Sequence, residues 1–218
     1  MALFADRRAA GRELATALER WHGTDAVVFG IPRGGVVVAA AVAEALALDL
    51  DAVVVRKLGA SGHEEFAVGA IADGVRIVTP GAVRWAGMSA RDLKRVEATE
   101  RDELTRRTDA YGARVADLSG RTALVVDDGV ATGASAVAAC QALRLRDPDR
   151  LVLAVPVAPE SWEPPPGAVD EFVCPHREPD FWAVGQYYDD FGQTSDAEVV
   201  ALLNAAPAGS ATDEDAGR

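Results

Sequence analysis

The stretch that decides the fold is Thr122-Ala123-Leu124-Val125-Val126-Asp127-Asp128-Gly129-Val130-Ala131-Thr132-Gly133-Ala134-Ser135. It begins with a short apolar run that contains β-branched residues, which is typical of a buried strand. Two carboxylates and a turn of small residues follow, and the mostly apolar sequence from Ala136 to Leu143 then predicts a helix. The stretch therefore predicts a strand, a loop and a helix start.

The loop of this unit has the residue types of a phosphate-binding turn. In an open α/β sheet, ligands bind beyond the carboxyl ends of the strands, where the next helix offers unpaired N–H groups. Gly133 lets the backbone approach an anion, while Thr132 and Ser135 supply hydroxyl donors. Asp127 and Asp128 suit vicinal hydroxyls or the water shell of a divalent cation. The pattern indicates a phosphorylated pentose, and a capped turn with a solvated acidic pair is the alternative.

These residues resemble the phosphoribosyl-pyrophosphate (PRPP) motif of the type I phosphoribosyltransferases. The resemblance implies that Asp127 and Asp128 bind the ribose hydroxyls and meet Mg²⁺ only indirectly, through water or ribose. It also implies that a loop holds the 5′-phosphate, here formed by Ala131, Thr132, Gly133, Ala134 and Ser135. An apolar strand, two acids and a Thr-Gly turn in this order make the pattern specific.

A second glycine-rich turn follows the predicted strand Ala26–Phe29. It has the sequence Gly30-Ile31-Pro32-Arg33-Gly34-Gly35 and leads into a predicted helix from Val36 to Leu46. The spacing matches neither a dinucleotide fingerprint nor a P-loop. It resembles the family's pyrophosphate loop, which implies that Arg33, Gly34 and Gly35 contact the leaving diphosphate, whereas a structural Gly-Gly turn is the alternative.

The next predicted strand, Ala52–Val55, is followed by Arg56 and Lys57. Two cations at the carboxyl end of a parallel strand would lie where ligands bind and would offset diphosphate charge, and a solvated strand end is the alternative. Some adenine-type family members have a similar pair, so we predict Arg33, Arg56 and Lys57 as diphosphate-binding residues. Of these, Arg33 and Lys57 join Asp127 and Asp128 as candidate catalytic residues.

Composition bounds the remaining possibilities. The chain has 218 residues, a net charge of −12 and two cysteines that are far apart in the sequence. Its acidity argues against general nucleic-acid binding, and the cysteines indicate neither a disulfide framework nor a zinc site. Because no signal peptide or membrane-length apolar run is found, we expect a cytoplasmic protein without membrane partners. We also expect small-molecule substrates, no nucleic-acid partner and a homo-oligomer.

Several segments outside the two turns have recognisable patterns. Asp6 to Trp21 predicts a helix with Arg7 turned outward, and the runs on either side of Asp73-Gly74 predict a hairpin. At the base of this hairpin, which the resemblance implies is mobile, His63, Glu64 and Glu65 are candidate substrate contacts, and a charged loop that faces water is the alternative. The charged segment 89–111 predicts a helix whose role the sequence does not give. Of the clustered aromatics, Phe181 and Trp182 are candidates for stacking on the acceptor, although core packing is the alternative.

The alternation of strands and helices predicts an α/β fold with a mostly parallel sheet and helices on both faces. We expect one type I phosphoribosyltransferase-like domain over residues 1–204, with a core at about 26–157, a flexible hairpin and a small C-terminal hood at about 158–204. Residues 205–218 are small and acidic, which predicts a disordered tail.

The resemblance implies Mg²⁺-dependent transfer of the phosphoribosyl group from PRPP to a nitrogenous base, or the reverse pyrophosphorolysis, in nucleotide salvage or related metabolism. Ala131 stands where members that use 6-oxopurines carry a further Asp, which argues against hypoxanthine or guanine as the acceptor. A non-catalytic PRPP or nucleotide sensor with the same fold is the alternative function.

Overall fold

The computed structural model describes residues 2–60, 63–112 and 118–206. Its central sheet has five strands, all parallel. In spatial order they are β2 (Asp49–Ala52), β1 (Val27–Gly30), β6 (Thr122–Val126), β7 (Arg150–Ala154) and β9 (Glu171–Val173). Because β1 and β6 are adjacent, the two glycine-containing turns that follow them lie side by side at one edge of the sheet.

Two layers of helices cover the sheet, as predicted. One face carries α1 (Arg7–Ala17), α2 (Gly34–Leu46) and α6 (Asp196–Ala205), and the other carries α5 (Ala134–Arg144). The strands are buried on both faces because helices pack on each, which explains their continuous apolar runs. The mostly parallel α/β fold class is therefore confirmed.

A separate antiparallel sheet is formed by β3 (Val55–Ala60), β4 (His63–Ala72) and β5 (Val75–Val78). The hairpin around Asp73-Gly74 is confirmed, and the short helix α3 (Pro80–Trp85) follows it without having been predicted. The charged helix α4 (Ala90–Tyr111) begins with the expected capping box of Ser89 and Asp92 and packs on β3. The side chains of His63, Glu64 and Glu65 lie outside what the structure describes.

The predicted second parallel strand was wrong in its position. The parallel partner of β1 is Asp49–Ala52, whereas Val55 already begins the antiparallel sheet. Val53, Val54 and Val55 are all buried where the two sheets meet, so their apolar character reflects this junction rather than a strand of the central sheet. Arg56 and Lys57 consequently lie within β3 instead of following a parallel strand.

The C-terminal part contains β8 (Val157–Pro159) and β10 (His176–Glu178), which pair with each other. The segment predicted as a hood also supplies β9 to the central sheet and α6 to the layer over α2. Pro156 separates β7 from β8 inside the run that was predicted as one strand, because proline cannot donate a ladder hydrogen bond. The disordered tail was predicted over residues 205–218, but Ala205 is the last residue of α6, and residues 207–218 lie outside the described residues.

Candidate active site

The acid pair, Asp127 and Asp128, directly follows β6 at the carboxyl edge of the sheet. The backbone N–H of Asp128 donates to Oδ1 of Asp127 at 2.9 Å, so the two residues form one compact acidic turn. Burial, and then the charge of Asp128, raise the pKa of Asp127 well above its ordinary value. The environment therefore disfavours the charged form of Asp127, and carboxylates with such raised pKa values are common at functional sites.

The glycine turn, Gly34 and Gly35, lies against the acid pair. A Cβ atom at Gly34 would lie 2.1 Å from Oδ2 of Asp128, and one at Gly35 would lie 2.8 Å from Oδ1 of Asp127. A Cβ at Gly35 would also lie 2.9 Å from the carbonyl oxygen of Val126, a backbone atom that cannot swing away. Only glycine allows this approach, and the two turns predicted separately from sequence are therefore brought together. The peptide bond between Pro32 and Arg33 is cis.

Arg7 of α1 pairs with the acid pair, although we predicted that it faces solvent. Its Nε donates to Oδ2 of Asp128 at 2.8 Å, and its Nη1 donates to the carbonyl oxygen of Gly192 at 2.7 Å. The guanidinium carbon lies 3.9 Å from the centre of the Phe191 ring, which adds a cation–π contact. Burial raises the pKa of Asp128, while the hydrogen bond from Arg7 opposes that rise. An arginine early in an amphipathic helix carries no sequence signal for this contact.

Tyr188 fixes the acid pair from the C-terminal side. Its hydroxyl donates to the backbone carbonyl oxygen of Asp128 at 2.6 Å. Burial and the charge of Asp128 raise the pKa of the Tyr188 hydroxyl, so it remains a protonated donor at neutral pH. From the sequence, Tyr188 was only one member of an aromatic cluster, and this role was not predicted.

The phosphate loop, Ala131–Ser135, joins the acid pair to α5. Gly133 has φ +79° and precedes the helix, while Ala131 and Thr132 are exposed to solvent. Trp162, which was not predicted as a site residue, lies on this loop, and its Nε1 donates to the carbonyl oxygen of Thr132 at 3.3 Å. A Cβ at Gly133 would lie 2.3 Å from the Trp162 ring. The loop is thus covered beside Gly133 and open to solvent beside Thr132.

The three cations that were predicted to bind diphosphate, Arg33, Arg56 and Lys57, differ in the acidic groups that they face. Arg56 donates to Glu100 of α4 at 2.7 Å, so its charge is matched away from the acid pair. Lys57 is exposed, and its charge lowers the pKa values of both Asp127 and Asp128. Successive residues of a strand face opposite sides, which explains why only one of these neighbours acts on the site. Arg33 begins the turn and lies 3.7 Å from Asp196.

The two aromatic candidates do not line the cavity beside the acid pair. Phe181 packs on Tyr187 with ring centres 5.2 Å apart, and Trp182 is 89% exposed. The cavity beside Gly34, with a volume of about 340 Å³, is instead lined by Arg7, Arg33, Gly34, Phe191, Gly192, Gln193 and Thr194. Phe191, through its contact with Arg7, is therefore the aromatic ring that joins this cavity to the acid pair.

The carboxylates of the site also indicate how it could hold Mg²⁺. Among the described residues, no group of three or more His, Cys, Asp or Glu side chains could hold a metal ion. Mg²⁺ in phosphoryl sites is commonly held by one or two carboxylates together with waters and substrate phosphates. Asp127 and Asp128 fit that indirect arrangement.

In the described part of the chain, no helix is both long and apolar enough to cross a bilayer.

A family model for a phosphoribosyl transferase domain matches residues 4–191 of the chain. The chain therefore belongs to the phosphoribosyl transferase domain family, which confirms the recognition made from the PRPP motif.

Individual relatives agree with this assignment. The crystal structure of TT1426 from Thermus thermophilus is 44% identical, has a TM-score of 0.70, and aligns over 92% of this chain and 97% of that one. Two proteins from the H37Rv and CDC 1551 strains of Mycobacterium tuberculosis carry the provisional name phosphoribosyl transferase. Each is 47% identical over 210 residues, which cover 94% of this chain and 47% of the relative. The chain thus spans about half the length of these curated relatives.

Proposed function

We propose that this chain binds PRPP at the carboxyl edge of the sheet and transfers its phosphoribosyl group to a nitrogen atom of an acceptor. The observation that carries the proposal is the contact between the acid pair and the glycine turn. The two carboxylates, the arginine-bearing turn and a phosphate loop that is exposed at Thr132 all follow adjacent parallel strands, which supports a single ligand site. The phosphoribosyl transferase family assignment supports the same interpretation.

Each part of the ligand has a matching part of the site. The acid pair accepts hydrogen bonds from the ribose hydroxyls, and the N–H groups and hydroxyls of Ala131–Ser135 bind the 5′-phosphate. The glycine turn, with Arg33 and Lys57, faces the diphosphate. Arg56 contributes less, because Glu100 already pairs with it.

The proposed reaction exchanges one bond for another at C1 of the ribose. The C1–O bond breaks and its electron pair leaves with diphosphate, while the acceptor nitrogen donates its lone pair to form the C1–N bond. A proton carried by that nitrogen passes to solvent or to a nearby carboxylate. Positive charge that develops on the sugar is stabilised by the acid pair, and negative charge on the diphosphate by Arg33 and Lys57.

Mg²⁺, if carried by the diphosphate, would supply further charge stabilisation of the leaving group. The acid pair would hold that ion through water or ribose. The residues of the chain position the sugar, and the covered side of the phosphate loop at Trp162 limits how the 5′-phosphate can move.

The test has two parts. Calorimetry with PRPP and Mg²⁺ measures binding, and diphosphate release in the presence of a panel of purines, pyrimidines and other nitrogen bases measures turnover. We expect PRPP to bind and at least one acceptor to release diphosphate. Binding without turnover on any acceptor would favour a PRPP sensor, and no PRPP binding would refute both functions.

A further inference from the structure

Trp162 contacts the phosphate loop from outside the PRPP motif. It lies in the segment between β8 and β9, and its ring covers Gly133. Its Nε1 donates to the carbonyl oxygen of Thr132 at 3.3 Å. The indole therefore makes both an apolar and a polar contact with the loop that we propose binds the 5′-phosphate.

The hydrogen bond from Trp162 fixes the orientation of one peptide group in that loop. The peptide bond between Thr132 and Gly133 is trans, so its carbonyl and its N–H point in opposite directions. Because the carbonyl of Thr132 faces the indole, the N–H of Gly133 faces away from it. An anion is attracted by an N–H group and repelled by a carbonyl oxygen, so the peptide presents its favourable end to the side of the loop that Trp162 does not cover.

The start of α5 offers further donors beside this peptide. Gly133 precedes the helix, and no side chain caps the first N–H groups. N–H groups at this position have no partner within the helix, so a bound phosphate can accept hydrogen bonds from them. A flip of the Thr132–Gly133 peptide would instead turn a carbonyl oxygen toward that phosphate.

The position of Trp162 is itself fixed by β10. Nη2 of Arg177, in β10, donates to the backbone carbonyl oxygens of Trp162 at 2.6 Å and of Glu160 at 2.8 Å. The Arg177 guanidinium carbon also lies 5.2 Å from the centre of the Phe172 ring, which packs edge to face on Trp162. Because these contacts hold the indole before a ligand arrives, ordering it adds little to the cost of binding.

We propose that Trp162 is a positioning residue for the 5′-phosphate of PRPP. Its indole N–H keeps the Thr132 carbonyl turned away from the phosphate, so that the N–H of Gly133 donates to the phosphate, and Arg177 keeps Trp162 in place. The inference rests on the proposed function, because it says how residues outside the PRPP motif prepare the phosphate loop.

The first test removes the indole N–H and keeps an aromatic ring. Trp162→Phe should weaken the binding of ribose 5-phosphate about threefold to tenfold, as loss of one hydrogen bond does. Calorimetry with the full chain measures the affinity. Trp182→Phe, the same change at a side chain that is 89% exposed, is the matched control and should bind as the wild type does. Equal affinities in the two variants would overturn the proposal.

The second test observes the peptide group and separates its orientation from packing. In amide proton NMR spectra of the wild type, ribose 5-phosphate should move the Gly133 resonance downfield, because the N–H donates to a charged acceptor. In Trp162→Phe saturated with the same ligand, this shift should be smaller. An unshifted Gly133 resonance in the wild type would contradict the proposal. A full shift in the variant would also contradict it, since Trp162 would then act by packing alone.

A titration of PRPP into the wild type separates the possible failures. Absence of PRPP binding refutes the proposed function, and this inference with it. PRPP binding without an effect of Trp162→Phe on ribose 5-phosphate refutes this inference alone. If Trp162→Phe does not fold, the Gly133 resonance of the wild type still decides the proposal.

Discussion

The PRPP motif and the Arg7 contacts meet at the same carboxylate, but they are built in different ways. The motif is one continuous stretch from Thr122 to Ser135, whereas Arg7 and Gly192, which it contacts, are 185 positions apart. Local residue types were enough to predict a ligand for the motif. Arg7, which offsets part of the charge of Asp128, and Tyr188, which covers one side of the acid pair, lie far from the motif in the sequence. No local pattern marks either residue. The comparison teaches that a local motif and the side chains that surround it are encoded at different sequence ranges.

The largest expected effect tests the motif itself. Asp128→Asn should weaken PRPP binding about tenfold to a hundredfold, because hydrogen bonds that involve a charged group are among the stronger ones. The fold should persist, since an amide of nearly the same shape can still accept from Arg7. Calorimetry with PRPP and Mg²⁺ measures the affinity.

The matched control is Asp25→Asn, an exposed acid that precedes β1 at the opposite end of the sheet. It removes the same charge from the chain. If both variants bind PRPP as the wild type does, Asp128 is not part of the site and the motif has been misinterpreted.

The next effect tests the contact between the two turns. Gly35→Ala should lower the free energy of unfolding by about 1–3 kcal/mol, the usual cost of overpacking, because the added methyl group meets backbone atoms of Val126 and Asp127. Denaturant unfolding measures the change. In Gly81→Ala the new methyl group meets nothing within 4 Å, so that variant should be no less stable than the wild type. Equal stabilities would show that the turns are less closely packed than described.

A third prediction concerns pH and the raised pKa of Asp127. The folded protein holds a proton on this group at pH values where the unfolded chain has lost it, so stability falls as pH rises through the raised pKa. Asp127→Asn should therefore raise Tm at pH 7, and the gain should vanish as pH falls toward the ordinary aspartate pKa. The amide can keep the contact with the Asp128 N–H. A variant with a pH-independent Tm difference would contradict this cause.

The smallest expected effect distinguishes the roles of Arg56 and Lys57, the neighbouring cations of β3. Lys57→Gln should weaken PRPP binding severalfold with little change in stability, because its charge acts on the acid pair. Arg56→Gln should leave PRPP affinity unchanged and lower stability by about 1 kcal/mol or less, as expected for a partly exposed ion pair. Calorimetry and thermal unfolding of both variants measure this. The reverse pattern would place Arg56 in the site.

Much of the fold was predicted from the periodicity of apolar residues and from residues that cap helices or form turns. The strands at Val27 and Thr122, the hairpin at Asp73-Gly74 and the capped helix at Ser89 were predicted because each has a local signal in residue type. The second parallel strand was misplaced because Val53–Val55 is apolar for a tertiary reason, the junction of two sheets. Arg7 was assigned to the outer face because helical periodicity cannot reveal a partner carboxylate 121 positions away.

The site was predicted in part for the same reason. The acid pair and the glycine turn are marked by their own residue types, and their contact follows from the adjacency of β1 and β6. Trp162 and Tyr188 contact loops that are distant from them in sequence, and a single sequence does not encode such contacts in any short pattern.

The backbone bridge between Phe4 and Tyr188 has a practical consequence for handling the protein. The N–H groups of Asp189 and Asp190 donate to the carbonyl oxygens of Phe4 and Ala5. These hydrogen bonds attach the segment that carries Phe191 to residues 4 and 5. Removing those residues would loosen the segment that carries Phe191, and with it the cavity beside Gly34. Assays of this chain are therefore best made with Phe4 and Ala5 retained.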